Sequence, residues 1–512
     1  MFLHKKTDFY SSNLNAYIAQ TSEGAPHNLP LIFCVFAENS DNHKVTAANF
    51  LCEFLNKLSF DDIYRIDKQM RQTTSMEWSI NWKELNVESF VTKHMSEDEK
   101  RAVFVFASFH PNGYIREQAI YALGKYKDTL PFILLRCNDW VCQVRQAAFN
   151  VFTQILAYSS EEEIVHALPL MEKLRRSTRY GYDTILPVVV NLFRINGQLI
   201  KRGLNSTDFR ARKFCISIIN HLDKIDNDYL MDYIFHEKDP FLRKTVFQIL
   251  LKTNADSTEI LELSKCFLKD KYPPNRILAL QYLIDNHSND LFDIAKHMLM
   301  DKNAQVRAFS RNLISLGDTK VDIRQIYLNH LYVNTSISIY GLGEVGSAED
   351  CELIEKYLAD DRVSVVRAAM TALMRLNTEK YLANITDMLA ADKSGIVKTA
   401  AILLKLNREY DFEKVSEILN NSSNENTKIK CATLLFLSGK WQSLIYTLML
   451  LGSGCEKLEN LCQTQISRWI FTYNRSYAVL SKNDKQTIIE LLQEKAKYLK
   501  PEAKKQIMFL AK

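Results

Sequence analysis

Glycine and proline are scarce, with 14 and 10 residues in a chain of 512. These residues break helices and build turns, so their scarcity argues against a sheet-and-turn architecture and for helix throughout. The 10 cysteines are scattered from Cys34 to Cys462. None stands at C-x-x-C spacing, and the closest pair, Cys137 and Cys142, has no second pair at metal-ligand spacing, which argues against structural zinc and against a disulfide framework. Most sit among apolar residues, as Cys215 does in KFCISII, where cysteine behaves as a small hydrophobe. That usage suits a reducing compartment, and a cytoplasmic protein is expected. The 11 histidines form no H-E-x-x-H and no pair four apart with a carboxylate partner. No P-loop, no G-x-S-x-G and no Cys/His arrangement appears. No catalytic residue, cofactor or metal is therefore assigned. Apolar runs such as LIYTLMLLG (444–452) are too short to span a bilayer. The opening MFLHKKTDFYSSN lacks the apolar core and small-residue cleavage site of a secretory leader, and no membrane insertion is expected.

What is present is an internal repeat. Length alone suggests three or four ordinary domains, but self-similarity overrides that prior. An aliphatic residue followed by Arg or Lys recurs at Ile115-Arg116, Val144-Arg145, Leu242-Arg243, Val306-Arg307, Val366-Arg367, Val397-Lys398 and Ile429-Lys430. Ala211-Arg212 and Asn275-Arg276 hold the same phase. Ten steps from Arg116 to Lys430 give a period of about 31 residues, inside the solenoid range. Four or six positions before the basic residue stands Asp139, Asp208, Asp239, Asp270, Asp301, Asp361, Asp392 or Asn424, each suited to N-capping the helix that follows. Three positions after it, Ala119, Ala148, Cys215 and Ala279 are small enough to let helices approach closely.

Segments such as DDRVSVVRAAMTALMRLN and HPNGYIREQAIYALGKY resemble HEAT repeats, particularly the short bacterial type first noted in phycobilisome lyases. The resemblance covers roughly residues 100 to 475. It implies two antiparallel helices per unit and a ladder of hydrogen bonds between neighbouring units, to which Asp361 with Arg367 and Asp301 with Arg307 would belong. The expected fold is all-α, an α-α superhelix (HEAT/ARM-like solenoid) of about eleven two-helix repeats. Residues 1–100 are expected to form a helical N-terminal cap or small helical domain, with Trp78 and Trp82 in it. Residues 101–475 form the solenoid and residues 476–512 the C-terminal capping helices. The pattern lapses near residue 177, in MEKLRRSTRYGYDTILPVVVNLF, and near Thr335.

Two motifs invite a functional reading. Gly341-Leu-Gly-Glu-Val-Gly346 matches G-x-G-x-x-G, a dinucleotide fingerprint when it joins a strand to a helix. Leu342-Gly343 is in phase with Leu123-Gly124, however, so the glycines read as a helix end that relieves left-handed strain. Between 172 and 213 the basic residues Lys173, Arg175, Arg176, Arg179, Arg194, Lys201, Arg202, Arg210, Arg212 and Lys213 face only Glu172, Asp183 and Asp208. The positive charge of the chain, +5 overall, is thus concentrated in one segment. Lys173, Arg175, Arg176, Arg179, Arg194, Lys201, Arg202 and Arg210 are the candidate patch for an anionic partner, phosphate or acidic protein. The segment Asp139-Trp140 resembles the catalytic Asp and cleft aromatics of HEAT-like alkylpurine DNA glycosylases only faintly, and Asp139 is in phase with the capping residues.

A long concave surface suits an extended partner better than chemistry. The first functional reading is a non-enzymatic protein-interaction scaffold or adaptor. The second is a DNA- or RNA-binding protein acting through residues 173–213. The third, an enzyme of the glycosylase or bilin-lyase kind, rests on analogy alone.

Overall fold

A computed structural model describes residues 9–22, 26–72, 80–176, 181–222, 226–253, 257–286, 290–317 and 321–511. Trp78 and Arg179 lie outside the described residues. The fold is all-α, of stacked HEAT/ARM-like helix pairs, and no strand occurs among the described residues. The chain divides into two compact units, Met1–Ile260 and Leu261–Lys512.

The first unit opens with α1 (Phe9–Ser22), α2 (Leu29–Cys34), α3 (Asp41–Leu55) and α4 (Phe60–Gln72). Pairs follow as α5 (Glu97–Ala107) with α6 (Gly113–Leu123), α7 (Leu130–Arg136) with α8 (Cys142–Leu156), α9 (Glu161–Leu174) with α10 (Gly181–Ile195), α11 (Gln198–Leu204) with α12 (Phe209–Ile219), and α13 (Asn227–His236) with α14 (Pro240–Lys252). Helix α15 (Ser257–Phe267) follows. The second unit continues with α16 (Pro273–Asp285), then α17 (Leu291–Met298) with α18 (Ala304–Ser315), α19 (Ile323–Asn329) with α20 (Thr335–Val345), α21 (Asp350–Glu355) with α22 (Val363–Leu376), α23 (Thr378–Asp387) with α24 (Ser394–Asn407), and α25 (Phe412–Asn421) with α26 (Glu425–Leu435). It closes with α27 (Lys440–Leu450), α28 (Glu456–Thr472), α29 (Lys482–Glu494) and α30 (Pro501–Leu510).

Capping follows the sequence expectation at three of its eight positions. At Asp139, Asp270, Asp301, Asp361 and Asp392 the helix starts later, with N-caps Val141, Tyr272, Asn303, Arg362 and Lys393. Asp139, Asp270 and Asp301 brace the turn by accepting the N–H two residues on. Ser96 with Glu99 and Ser160 with Glu163 form reciprocal capping boxes for α5 and α9. Asp208, Asp239 and Asn424 accept the first free N–H groups of α12, α14 and α26. Between α9 and α12 the pairing is irregular. Helix α9 packs chiefly on α12, while α10, which carries Pro187 inside it, touches its neighbours sparsely. That is where the sequence repeat lapses, because an internal proline removes a helical hydrogen bond and crowds the preceding turn.

The glycine motif is helical. Gly341 and Gly343 lie within α20, and Gly346 caps it at φ −78°. The expectation of a helix end relieving left-handed strain is therefore corrected: both interior glycines exist for close packing. A Cβ on Gly341 would overlap the ring of Tyr327 on α19, and one on Gly343 would lie 2.6 Å from Cα of Ala372 on α22. The neighbouring helices pass over the bare backbone.

The repeat cations form a ladder, with a different pairing from the one the resemblance implies. Arg116, Arg212, Arg276 and Arg307 each point Nη1 at backbone carbonyls of their own turn and turn other donors to a carboxylate of a later repeat, whereas Arg145 shows only the first half, bonding the carbonyls of Asp139 and Trp140 at 2.7 and 3.1 Å. Arg116 bonds the carbonyls of His110 and Pro111 at 2.9 and 2.7 Å, and its Nε and Nη2 reach Asp139 at 3.1 and 2.8 Å. Arg212 does the same with Ser206, Thr207 and the Glu237 carboxylate. Arg276 bonds the Asp270 carbonyl and the Asp301 carboxylate, both at 2.6 Å. Asp301 thus gives Arg307 only its backbone oxygen, at 2.8 Å. Arg307 instead reaches Glu344, on α20, because the turn before Thr335 supplies no acid. Asp361 and Arg367 are not a side-chain pair either: Asp360 orders that turn by accepting the Arg362 N–H, and Arg367 bonds Thr399 Oγ1 at 2.8 Å.

At the first junction the ladder widens into a buried network. Arg136 joins Asp139 at 3.0 Å and also pairs with Asp67 of α4, which Arg71 flanks. Arg116, Arg136, Asp67 and Asp139 are all buried. Burial alone would raise the Asp139 carboxyl, but Arg136 and Arg116 outweigh it and hold it below the usual carboxylate range. Beside it, His110 is fully buried, its ring 4.3 Å from that of Trp82, with Nδ1 accepting the Asn112 N–H at 2.9 Å. Burial, aided by the Arg116 cation, pushes this imidazole down to about 3.

Three outcomes are expected. Asp139→Ala leaves two buried guanidinium groups short of a partner and should cost about 3–5 kcal/mol; loss of amide hydrogen-exchange protection across α6–α8 is the readout. Gly343→Ala should lower the stability of the second unit by about 1–3 kcal/mol through overpacking, measured by urea denaturation, with Gly124→Ala affecting only the first unit. His110 protonates more readily in the unfolded chain, near its ordinary 6.5, than in the folded one. Stability should therefore be lost as pH falls below about 6.5, by about 2 kcal/mol at pH 5. Denaturation at pH 7 and pH 5 checks this, and His110→Leu should flatten the difference.

Candidate partner-binding surfaces

The basic segment of the first unit is assembled from the ends of α9, α10, α11 and the start of α12, and the fold brings acids to most of its cations. Lys173 Nζ lies 3.5 Å from the centroid of the Tyr64 ring and 3.8 Å from Asp61, both on α4. Arg210 reaches the same Asp61 at 3.0 Å. Arg175 grips the buried Glu172 with two bonds of 2.9 Å, and Lys213 approaches that carboxylate at 2.6 Å. Lys201 pairs with Asp226 at 2.7 Å and Arg202 with Glu161 at 2.8 Å. Arg194 donates to the His221 carbonyl at 3.1 Å. Arg176, exposed at the end of α9, has no side-chain partner among the described residues. Asp61, Glu161, Asp226 and Glu237 lie outside the 172–213 window, so a charge count over that window does not see them.

Asp139 and Trp140 separate in role. The carboxylate is buried between arginines, while Trp140 is 62% exposed, with the Arg116 guanidinium 5.9 Å from its ring centroid. A carboxylate held by two guanidinium groups and the Val141 N–H has its acceptor sites filled, a role in bracing the turn and pairing the arginines rather than in catalysis. Trp140 belongs instead to a recurring set. Tyr114, Trp140, Phe209 and Phe241 are exposed, and each stands at or just before the first turn of a second helix: α6, α8, α12 and α14.

In the second unit the second helices pack side by side, α20 on α22, α22 on α24 and α24 on α26, whereas the first helices touch one another little. The second helices are therefore the inner layer of a curved stack. Charge follows the layers. Helices α18, α20, α22, α24 and α26 carry eight Lys or Arg and only two acids, Glu344 and Glu425. The first helices α17, α19, α21, α23 and α25 carry eight acids and four Lys or Arg. Glu344 is held by Arg307, Arg311 and Arg375 together. Burial would raise its carboxyl, but Arg307 and Arg311 keep it low. Glu425 pairs with Lys457 at 2.9 Å. Sequence reading did not single out this face, although the alternation of acidic first helices and basic second helices is present in the residues.

No group of three or more His, Cys, Asp or Glu suited to a metal ion occurs among the described residues. No helix among them is long and apolar enough to cross a membrane.

No family model matches the chain, and no curated protein matches it. Among solved structures it is similar to Kap121p, at 12% identity and TM-score 0.34, over 96% of this chain and 65% of that one. It is similar to importin beta in an ammonium sulfate condition, at 10% identity and TM-score 0.32, over 99% of this chain and 83% of that one. A third is the karyopherin Kap121p bound to the extreme C-terminus of the protein phosphatase Cdc14p, at 11% identity and TM-score 0.29, over 91% of this chain and 57% of that one. The chain spans less than two thirds of the Kap121p chains it matches.

Proposed function

We propose that the protein is a non-enzymatic scaffold or adaptor that holds a protein partner along its helical repeats, in the cytoplasm. The observation that carries the reading is the recurrence of Tyr114, Trp140, Phe209 and Phe241 as exposed aromatics at the heads of four second helices of the first unit, α6, α8, α12 and α14. Single exposed apolar residues are ordinary on a protein surface. Here the same kind of residue recurs in the turn that leads into a second helix, shortly before the repeat arginines Arg116, Arg145, Arg212 and Arg243. Large aromatic side chains on a rigid support are what protein interfaces concentrate their binding energy in. The cations of 173–213 support the nucleic-acid reading less well, since most of them sit against carboxylates of their own chain. A phosphate backbone would have to displace those partners to gain its counterion release.

Affinity purification from the native cell, with nuclease treatment and mass spectrometry, tests the reading. A defined protein should remain after nuclease. Trp140→Ala with Phe241→Ala should reduce its recovery about tenfold, a size ordinary for interface aromatics, at unchanged melting temperature. Equal recovery with the double variant, or loss of all capture on nuclease treatment, would count against it. Charge reversal at Arg176, which is exposed and holds no carboxylate among the described residues, should leave recovery unchanged.

A further inference from the structure

The ladder position changes character along the chain. At Arg116, Arg212, Arg276 and Arg307 the cation is turned inward onto a carboxylate of the next repeat. In three later repeats the same position is Arg367, Lys398 and Lys430, and none of these has a carboxylate within 4.0 Å among the described residues. Arg367 and Lys398 are exposed and Lys430 is half-buried. Arg367 lies over the next second helix, bonded to Thr399 beside Lys398. The cation that meets a carboxylate in those four repeats meets none in these three, as at Arg145, which bonds only the Asp139 and Trp140 carbonyls, and at Arg367 and Lys398 it stands in solvent.

We propose that the solvent face of α22, α24 and α26 binds an acidic, extended segment of a protein partner, with one apolar side chain seated on Ile402 and Leu406. The proposal rests on the scaffold reading and names the chemistry of the partner. Adjacent packed helices lie about 8–10 Å apart, and an extended chain in the polyproline II conformation advances about 3.1 Å per residue with about three residues per turn, so that every third side chain lies on one face. An acidic residue at every third position would therefore meet Arg367, Lys398 and Lys430 in turn. A second row, Arg375 and Lys405, lies eight and seven residues further along the same helix faces. At about 1.5 Å of rise per residue that is roughly 11 Å away, enough for a second carboxylate row or for the width of a helix. Between and beside the rows lie Ile402, 49% exposed, and Leu406, 77% exposed, one turn apart on α24. On the α20 side the face ends in the Glu344 cluster, whose three arginines leave it positive.

The composition of the face selects protein over nucleic acid. Helices α22, α24 and α26 contain no Phe, Tyr or Trp. Single-stranded nucleic acid is held by aromatic platforms as well as by charge, and a phosphate backbone has no use for exposed Ile and Leu. An acidic segment with an aliphatic anchor uses both features.

The test is fluorescence polarisation of the full chain with a synthetic peptide carrying Glu at every third position and one central Leu. A peptide with Lys in place of Glu and a single-stranded RNA of equal length run in parallel. The acidic peptide should bind, and more weakly as salt rises. Lys398→Glu with Lys405→Glu and Lys430→Glu should weaken it about tenfold or more, at unchanged helicity by circular dichroism. Ile402→Ser with Leu406→Ser should weaken it several-fold and leave the salt dependence as it was. Binding of the acidic peptide that ignores the charge reversal overturns the proposal, as does RNA binding that exceeds peptide binding and vanishes with the same cations. The cellular partner separates the two levels. Undiminished capture by the charge-reversed chain removes this surface and keeps the scaffold, whereas capture of no protein by the native chain removes the scaffold.

Discussion

Burying a guanidinium at the junction of two repeats is the constraint on which the rest depends. A cation taken out of water must find carboxylate and carbonyl oxygens enough to replace its hydration. Arg116, Arg212 and Arg276 meet that demand in one way, with Nη1 on the turn behind and the rest of the fork on the acid ahead. The arrangement uses the planar, rigid fork of arginine and would not survive exchange to lysine. It fixes the register of each helix pair on the next, so it sets which side chains the inner layer can show to solvent. Where the position becomes Lys398 or Lys430, aliphatic contacts such as Val397, Ala400, Leu404, Cys431 and Leu435 hold the repeats together, and the cation is free for other use.

The two units use charge differently. In the first, acids from far along the chain close over the cations: Asp61 meets Arg210 and Lys173, Glu161 meets Arg202, and Asp67 meets Arg136. In the second, most acids lie on the first helices and most cations on the second, so the layers are polarised. A local excess of one sign in the sequence can thus be internal cement in one place and open surface in another. Only the lateral packing tells them apart.

Much of the fold was legible in the sequence. Scarce Gly and Pro, the period of about 31 residues and capping residues such as Asp208, Asp239 and Asn424 all describe events within one helix pair, where neighbours in sequence are neighbours in space. What crosses between pairs was not legible. Asp301 was expected on Arg307, yet its carboxylate serves Arg276, because the acid of a turn faces the repeat before it. Glu344 was hidden inside a glycine motif, and it answers Arg307 only because the intervening turn lacks an acid. Glycines 341 and 343 read as a helix terminus until Tyr327 and Ala372 are seen lying against them. The basic segment looked unbalanced because four of its counter-charges fall outside any short window.

Helix α4 adds a consequence of its own. Through Asp61 and Asp67 it is tied to Arg210 and Arg136, residues 149 and 69 positions away, while Ile63, Ile66 and Met70 are buried beneath it. A stack whose layers touch only their neighbours can fray from an end, one layer at a time. A clasp of this reach couples layers that are not adjacent, so the helices it spans open together or not at all. Distant closures of this kind also slow a chain's search for its native form. That coupling falls on the Asp67–Arg136 pair, which is closed off from water, whereas Asp61 and Arg210 meet in solvent, where an ion pair adds little.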